Sequence, residues 1–165
     1  MDMEWLELFD INENCLNKKI LRGITPNINE YVMIVYIFIK NSEGKYLLEK
    51  NSATEKWVVP GGHVNEVNPI NSIKRECMEE LGLNIEVNNL QSIETLSNNN
   101  RLFKLYYLEL DLDINDIVVQ KEEVKEVGFF SIDEIDNMIE DGSFRKNNII
   151  FIDCLKKYKG VKYEK

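Results

Sequence analysis

A mixed α/β domain, with helices packed on a β-sheet, is the fold class the sequence predicts. Three observations carry this. The run "YVMIVYIFIK" (31–40) is rich in β-branched and aromatic residues, as a buried strand is. The segment 69–81 has the start and stop signals of a helix. Other apolar segments alternate with turn signals along the whole chain.

The elements follow in order. Residues 1–30 are assigned no element from their pattern. After 31–40, "NSEGK" turns the chain at Gly44, and "YLLEK" (46–50) completes a hairpin. "KWVVPGG" (56–62) is a short strand ended by Pro60 and two glycines. The helix over 69–81 is capped by Asn68, takes Pro69 in its first position and exits at Gly82. Ile70, Ile73, Cys77 and Leu81 form its core-facing stripe. "LNIEVNNLQSIETL", "RLFKLYYLELDL" and "EVGFFS" read as strands. Ser131 and Glu134 have capping-box spacing and open a short helix ending near Gly142. "NNIIFIDCLKKYKG" is a final helix, and the tail "KKYKGVKYEK" reads as surface.

The chain has 165 residues, 44% of them hydrophobic, which suits one domain over 1–165 with an ordinary core. A formal net charge of -9 argues against nucleic acid as a partner. It does not exclude a small anionic ligand, because a divalent cation reverses the local sign. Cys15, Cys77 and Cys154 form no CxxC pair, so a reduced, cytoplasmic protein is expected. The start "MDMEWLELFD" lacks a signal-peptide pattern, and no apolar run reaches the ~18 residues of a membrane span, so no membrane partner is expected.

The chemistry is concentrated on helix 69–81. Residues three and four apart share a helix face, so Glu76, Glu79 and Glu80 point into one patch beside the apolar stripe. A solvated acidic face is the ordinary reading of such a patch. Three neighbours favour a metal site instead: the Pro-Gly-Gly turn, Arg75 beside Glu76, and Glu122 and Glu123 before "EVGFF". Carboxylate oxygens suit Mg²⁺ or, as an alternative, Mn²⁺.

Gly61-Gly62, Arg75-Glu76, Glu79-Glu80 and Gly82 resemble the box that marks Nudix hydrolases. The hairpin before "KWVVPGGHV" and the stretch "EEVKEVGFFSIDEI" are similar to that family too, and the resemblance covers roughly 30–158. It implies an α/β/α sandwich around a mixed sheet. The opening "EWLELFDINENCLNKKILRG" is similar to the N-terminal hairpin of a subgroup related to isopentenyl-diphosphate isomerase, so 1–30 is expected to be a hairpin extension. One departure stands out. The family places a glutamate between the glycines and the arginine. Counting forward from Gly62 reaches Asn68, and counting back from Arg75 reaches Val67. The loop is one residue short, and its glutamate is either displaced to Glu66 or absent.

The resemblance implies a Mg²⁺-dependent pyrophosphohydrolase acting on a nucleoside diphosphate linked to a group X. Divalent ions between the glutamates and the diphosphate would neutralise both. Glu79 and Glu80 are expected to lead in metal binding, with Glu76 as ligand or orienting partner and the Gly61 or Gly62 carbonyl as a further ligand. Arg75 is expected to hold the loop or Glu76. Glu123, or Glu122, is a further ligand or the general base. Gly62, His63, Lys50 and Arg101 are the expected substrate contacts, with Lys104 as a second basic residue on the Arg101 strand; the alternatives are a structural His63, a solvated Lys50 and an exposed strand face for Arg101 and Lys104. Trp57 is expected under the glycine turn or against a base, and Cys77 in the core. A homodimer is compatible with the family. Two other readings are a nucleotide-binding module with weak or no catalysis, and an isomerase of isopentenyl diphosphate. For the isomerase, a lone His63 cannot supply the histidine cluster.

Overall fold

The apolar run 31–40 is the hub of the molecule. The computed structural model describes residues 3–163. Within them the strands are β1 (Trp5–Phe9), β2 (Cys15–Leu21), β3 (Tyr31–Lys40), β4 (Tyr46–Asn51), β5 (Trp57–Val58), β6 (Gly61–His63), β7 (Gln91–Asn98), β8 (Arg101–Glu109) and β9 (Val124–Phe130). The helices are α1 (Pro69–Leu81), α2 (Ile132–Asp141) and α3 (Ile149–Tyr163). Residues 1, 2, 164 and 165, and the side chains of 160–163, lie outside the described part. The surface reading of the tail's end lies there with them.

The strands form one mixed sheet. β3 runs parallel to β8 from Val32↔Arg101 to Lys40↔Glu109. Its other edge is shared in succession by β1 at Tyr31 and Val32, by β6 at Ile34 to Tyr36, and by β4 at Lys40. β4 continues the sheet through β9 and β5.

β3 is covered on both faces, which is why its sequence is apolar without alternation. Met33, Val35, Ile37 and Ile39 pack with Leu47 of β4 and with Ile73, Cys77 and Leu81 of α1. Phe38, with Tyr46 and Leu48 of β4, packs on the opposite face with Ile135 of α2 and Phe151, Ile152 and Leu155 of α3. The result is the α/β/α sandwich. The N-terminal hairpin forms as β1 paired with β2, and joins the sheet through β1.

Two expectations change. "KWVVPGG" is not one strand. Pro60 has no N–H to extend the β5 ladder, its carbonyl instead accepts from Ile37 N–H at 2.9 Å, and Gly61-Gly62-His63 crosses over to pair with β3. The stretch 83–96 is also divided. A 3₁₀ turn at Val87–Asn89 precedes β7, and Leu83 and Ile85 reach the core from irregular backbone. α1 is as expected: the Asn68 side chain accepts from Ile70 N–H, and Gly82 closes the helix in the left-handed region at φ 65°.

Candidate metal and substrate site

β6 lays Gly62 against the acidic face of α1. A Cβ on Gly62 would lie 2.3 Å from Glu76 Cδ, so only glycine lets that carboxylate approach. A Cβ on Gly61 would lie 2.0 Å from the Val35 carbonyl oxygen, so that glycine permits the β6–β3 pairing. Between these elements opens a cleft of about 1270 Å³. Gly61, Gly62, His63, Arg75, Glu76, Glu79, Glu80, Glu122 and Glu123 line it, as the sequence led one to expect.

Arg75 organises the near wall. Its Nε donates to Glu66 Oε1 at 3.1 Å. Nη1 donates to Glu76 and Glu79, each at 2.9 Å. Nη2 donates to the Asn65 side chain at 3.0 Å and to the His63 carbonyl at 3.3 Å. Burial by itself would lower the Arg75 pKa, but the contacts with Glu66, Glu76 and Glu79 outweigh it and hold the guanidinium firmly charged.

The carboxylates separate by environment. Glu79 is the outlying one, with its side chain 53% exposed and its charge met by Arg75. Glu76 is largely buried, and burial raises its pKa against the opposing pull of Arg75. Glu80 is buried, and burial, then Glu49, Glu76 and Glu123, drive its pKa strongly upward. Glu49, on β4, is 6% exposed and raised to about 7, chiefly by burial. Glu49, Glu80 and Glu123 all line the same cleft. Like charges gathered in one cleft repel, and a proton or a cation among them relieves that cost. Glu49 Oε2 is buried with no hydrogen-bond partner. Among the described residues, no three His, Cys, Asp or Glu side chains form a ready-made metal shell. Arg75 instead draws Glu76 and Glu79 toward itself.

The residues match what a divalent ion requires. The donors are hard oxygens, one of them a buried orphan, and a glycine cradle admits Glu76. The NUDIX domain model matches residues 30–151 of this chain. The chain belongs to the Nudix family. It is accordingly an enzyme, a Nudix pyrophosphohydrolase. A Nudix hydrolase of Listeria innocua, itself described as uncharacterized, is 24% identical over 149 residues, 86% of this chain and 88% of that one. The crystal structure of DR0079 from Deinococcus radiodurans shares the fold. Its TM-score is 0.70 at 17% identity, covering 90% of this chain and 97% of that one. So does the NUDIX domain of Shewanella oneidensis NrtR, solved in complex with ADP ribose. Its TM-score is 0.64 at 13% identity, covering 77% and 87% respectively.

The shortened Nudix loop still delivers a glutamate. Glu66 accepts from Ser72 Oγ at 2.9 Å as well as from Arg75, so it braces the arginine from within the loop. Other expected residues lie elsewhere. Lys50 does not line the cleft; its Nζ sits 5.7 Å from the Trp57 ring centroid and 3.8 Å from Glu126. Arg101 lies over the Phe103 ring rather than in the lining, and Lys104 bonds Glu13. Strand alternation puts Lys50 on the face opposite Glu49 and Lys104 on the face opposite Arg101, while Arg101 stays near enough for its charge to act on His63 and Tyr36. Trp57 packs edge-on against Phe130 of β9, and neither lines the cleft. Cys77 is buried, its thiol pushed up to about 12 by burial and by Glu49, Glu80 and Glu76, so it is core and not a nucleophile.

Sequence reasoning missed Glu49, Tyr36, Arg22 and Arg145, all in the cleft lining. Glu49 had a usable signal. Two residues from Leu47 on a strand, it must share Leu47's face, which is the face covered by α1. The other three come from distant segments that only the tertiary fold brings together.

Proposed function

We propose that this chain is a Mg²⁺-dependent Nudix hydrolase, with Mn²⁺ as an alternative ion, that cleaves the pyrophosphate bond of a nucleoside diphosphate linked to X. The observation that carries this is the convergence of Glu49, Glu76, Glu80 and Glu123 on one cleft that ends at the glycine turn, with the buried Glu49 Oε2 unpaired. Glu76 and Glu80 are the principal metal ligands in this reading, with the Gly61 carbonyl completing the set and Glu79 joining from its outer position. Bound divalent ions would neutralise the phosphates and lower the pKa of a water. Arg75 holds Glu76 and Glu79 in place. Glu123, at the exposed rim, takes the proton of the attacking water on its carboxylate. As the water oxygen joins phosphorus, the bridging P–O bond breaks. Arg22, Arg145 and His63 line the cleft, and this reading assigns them to phosphate or ribose oxygens.

The reading also takes the β1–β2 hairpin as part of one domain, and the free cysteines as those of a cytoplasmic protein. Its partner is a small nucleotide, including sugar nucleotides such as ADP ribose.

The test is phosphate or nucleotide release from a panel of nucleoside diphosphate derivatives with Mg²⁺ or Mn²⁺. Wild-type turnover on at least one compound is expected, and Glu76→Gln should lower it by at least ~10²-fold. Tight binding without turnover across the panel and both ions would show a binding module instead. Proton exchange into isopentenyl diphosphate without phosphate release would show an isomerase.

A further inference from the structure

The Nudix box draws its acids from one helix, but this site has a carboxylate on the opposing wall. Glu49 sits mid-strand on β4, opposite Val58 of β5 and Val127 of β9. Period-two alternation puts it on the α1 face, where Leu47 is fully buried. An apolar residue would continue that face at no electrostatic cost. A carboxylate instead faces the cleft that Glu76, Glu80 and Glu123 also line. Its Oε2 is buried and has no donor. An unpaired buried carboxylate oxygen is expensive unless something positive or protonated meets it. Arg75, the guanidinium nearest the cluster, is committed to Glu66, Glu76, Glu79, Asn65 and the His63 carbonyl. No lysine or other arginine bonds Glu49 among the described residues.

We propose that Glu49 is a ligand of the divalent cation, supplied from β4 across the cleft from Glu76 and Glu80, and that this extra carboxylate lets the site take up the ion before any phosphate arrives. The inference rests on the hydrolase reading above. Affinity for a hard cation rises with the number of charged oxygens around it. Glu49 and Glu80, both buried, together with Glu76 supply three carboxylates from two elements that an ion could draw together without help from substrate oxygens. A site built from the helix alone would leave more of that task to the diphosphate.

The test uses the full chain stripped with chelator, with Mn²⁺ alone as the probe and no nucleotide present. Mn²⁺ binding is measured by calorimetry or by the loss of the free-ion EPR signal. Wild type is expected to bind, and Glu49→Gln to lose at least ~10-fold in affinity. Glu126→Gln, an exposed change on β9, is expected to keep wild-type affinity. Melting provides a second readout: Mn²⁺ should raise the Tm of wild type and leave that of Glu49→Gln nearly unchanged. If Glu49→Gln does not fold, Glu49→Asp keeps the charge but withdraws it from the cleft, and a several-fold loss is expected.

Glu49→Gln binding Mn²⁺ within twofold of wild type would overturn the inference. So would wild type taking up Mn²⁺ only together with nucleotide. Both results leave the hydrolase reading standing if the substrate panel is turned over. Conversely, Glu49-dependent Mn²⁺ uptake in a protein that turns over nothing would support this inference and sink that reading.

Discussion

Arg75 distributes its donors over four side chains and one carbonyl, and each acceptor comes from β6, the loop after it or α1. That fork geometry is particular to arginine, since a lysine offers a point charge in place of directed pairs. Glu66 shows how a residue-level function survives a loop one residue shorter than its family's: the acid needs only to reach Nε, not to occupy a fixed sequence position. Sequence spacing leaves Glu66 ambiguous because it counts residues, whereas the interaction is set by distance. His63 makes a separate prediction. Burial, then the Arg22 charge, lowers its pKa to about 4 from the ordinary 6.5. The ring therefore stays neutral in the fold while the unfolded chain takes up a proton below about 6.5. Its contribution to stability is complete above that pH and is lost as pH falls toward 4. One pKa unit is worth about 1.4 kcal/mol. In chelator, wild type should lose several degrees of Tm relative to His63→Gln between pH 7 and 4. Parallel melting curves across that range would refute the assignment.

Among the elements, β6 and α1 make the site, and their two adjacent glycines have different duties. An alanine at Gly62 meets the far end of the Glu76 side chain, which can swing away. Gly62→Ala should thus leave Tm within a few degrees but cut turnover by about 10- to 100-fold, the range for disturbing a ligand's support. An alanine at Gly61 meets backbone, the Val35 carbonyl, which cannot move without breaking the β3 pairing. Gly61→Ala should instead lower Tm markedly. Parallel melts and kinetics of the two variants check both statements, and equal behaviour would contradict them. α1 is legible in the sequence because its cap, first proline, apolar stripe and terminal glycine are all local signals. β6 is not. Three residues with two glycines carry no periodicity, and their strand character comes from β3.

For the molecule as a whole, the segment between α2 and α3 is tied to the cleft through a long-range contact. Trp57 exchanges backbone bonds with Ser143 and Arg145, at 2.8 and 2.9 Å, and the buried Asn148 side chain accepts from Val59 N–H at 3.0 Å. This seam carries Arg145 to the cleft wall. Asn148→Ala leaves the Val59 N–H unpaired, at a cost of about 1–3 kcal/mol. At about 2–4 °C per kcal/mol for a chain of this size, thermal melting should show a clear drop, and an unchanged Tm would refute the role of the seam. Such pairing between residues nearly ninety positions apart leaves no trace in local pattern. For the same reason Arg145 and Tyr36 were out of reach of the sequence, while the sandwich itself was readable from the unbroken apolar run of β3. That strand has one more consequence. Tyr36 and Ile34 on β3, His63 on β6 and Arg22 at the end of β2 belong to strands laced into a single ladder. The floor of the cleft is therefore one hydrogen-bonded sheet. Such a floor is an anvil, and adjustment to an incoming molecule is expected from side chains and from the loop segments around the rim, at Ile24, Ala53, 120–123 and Arg145.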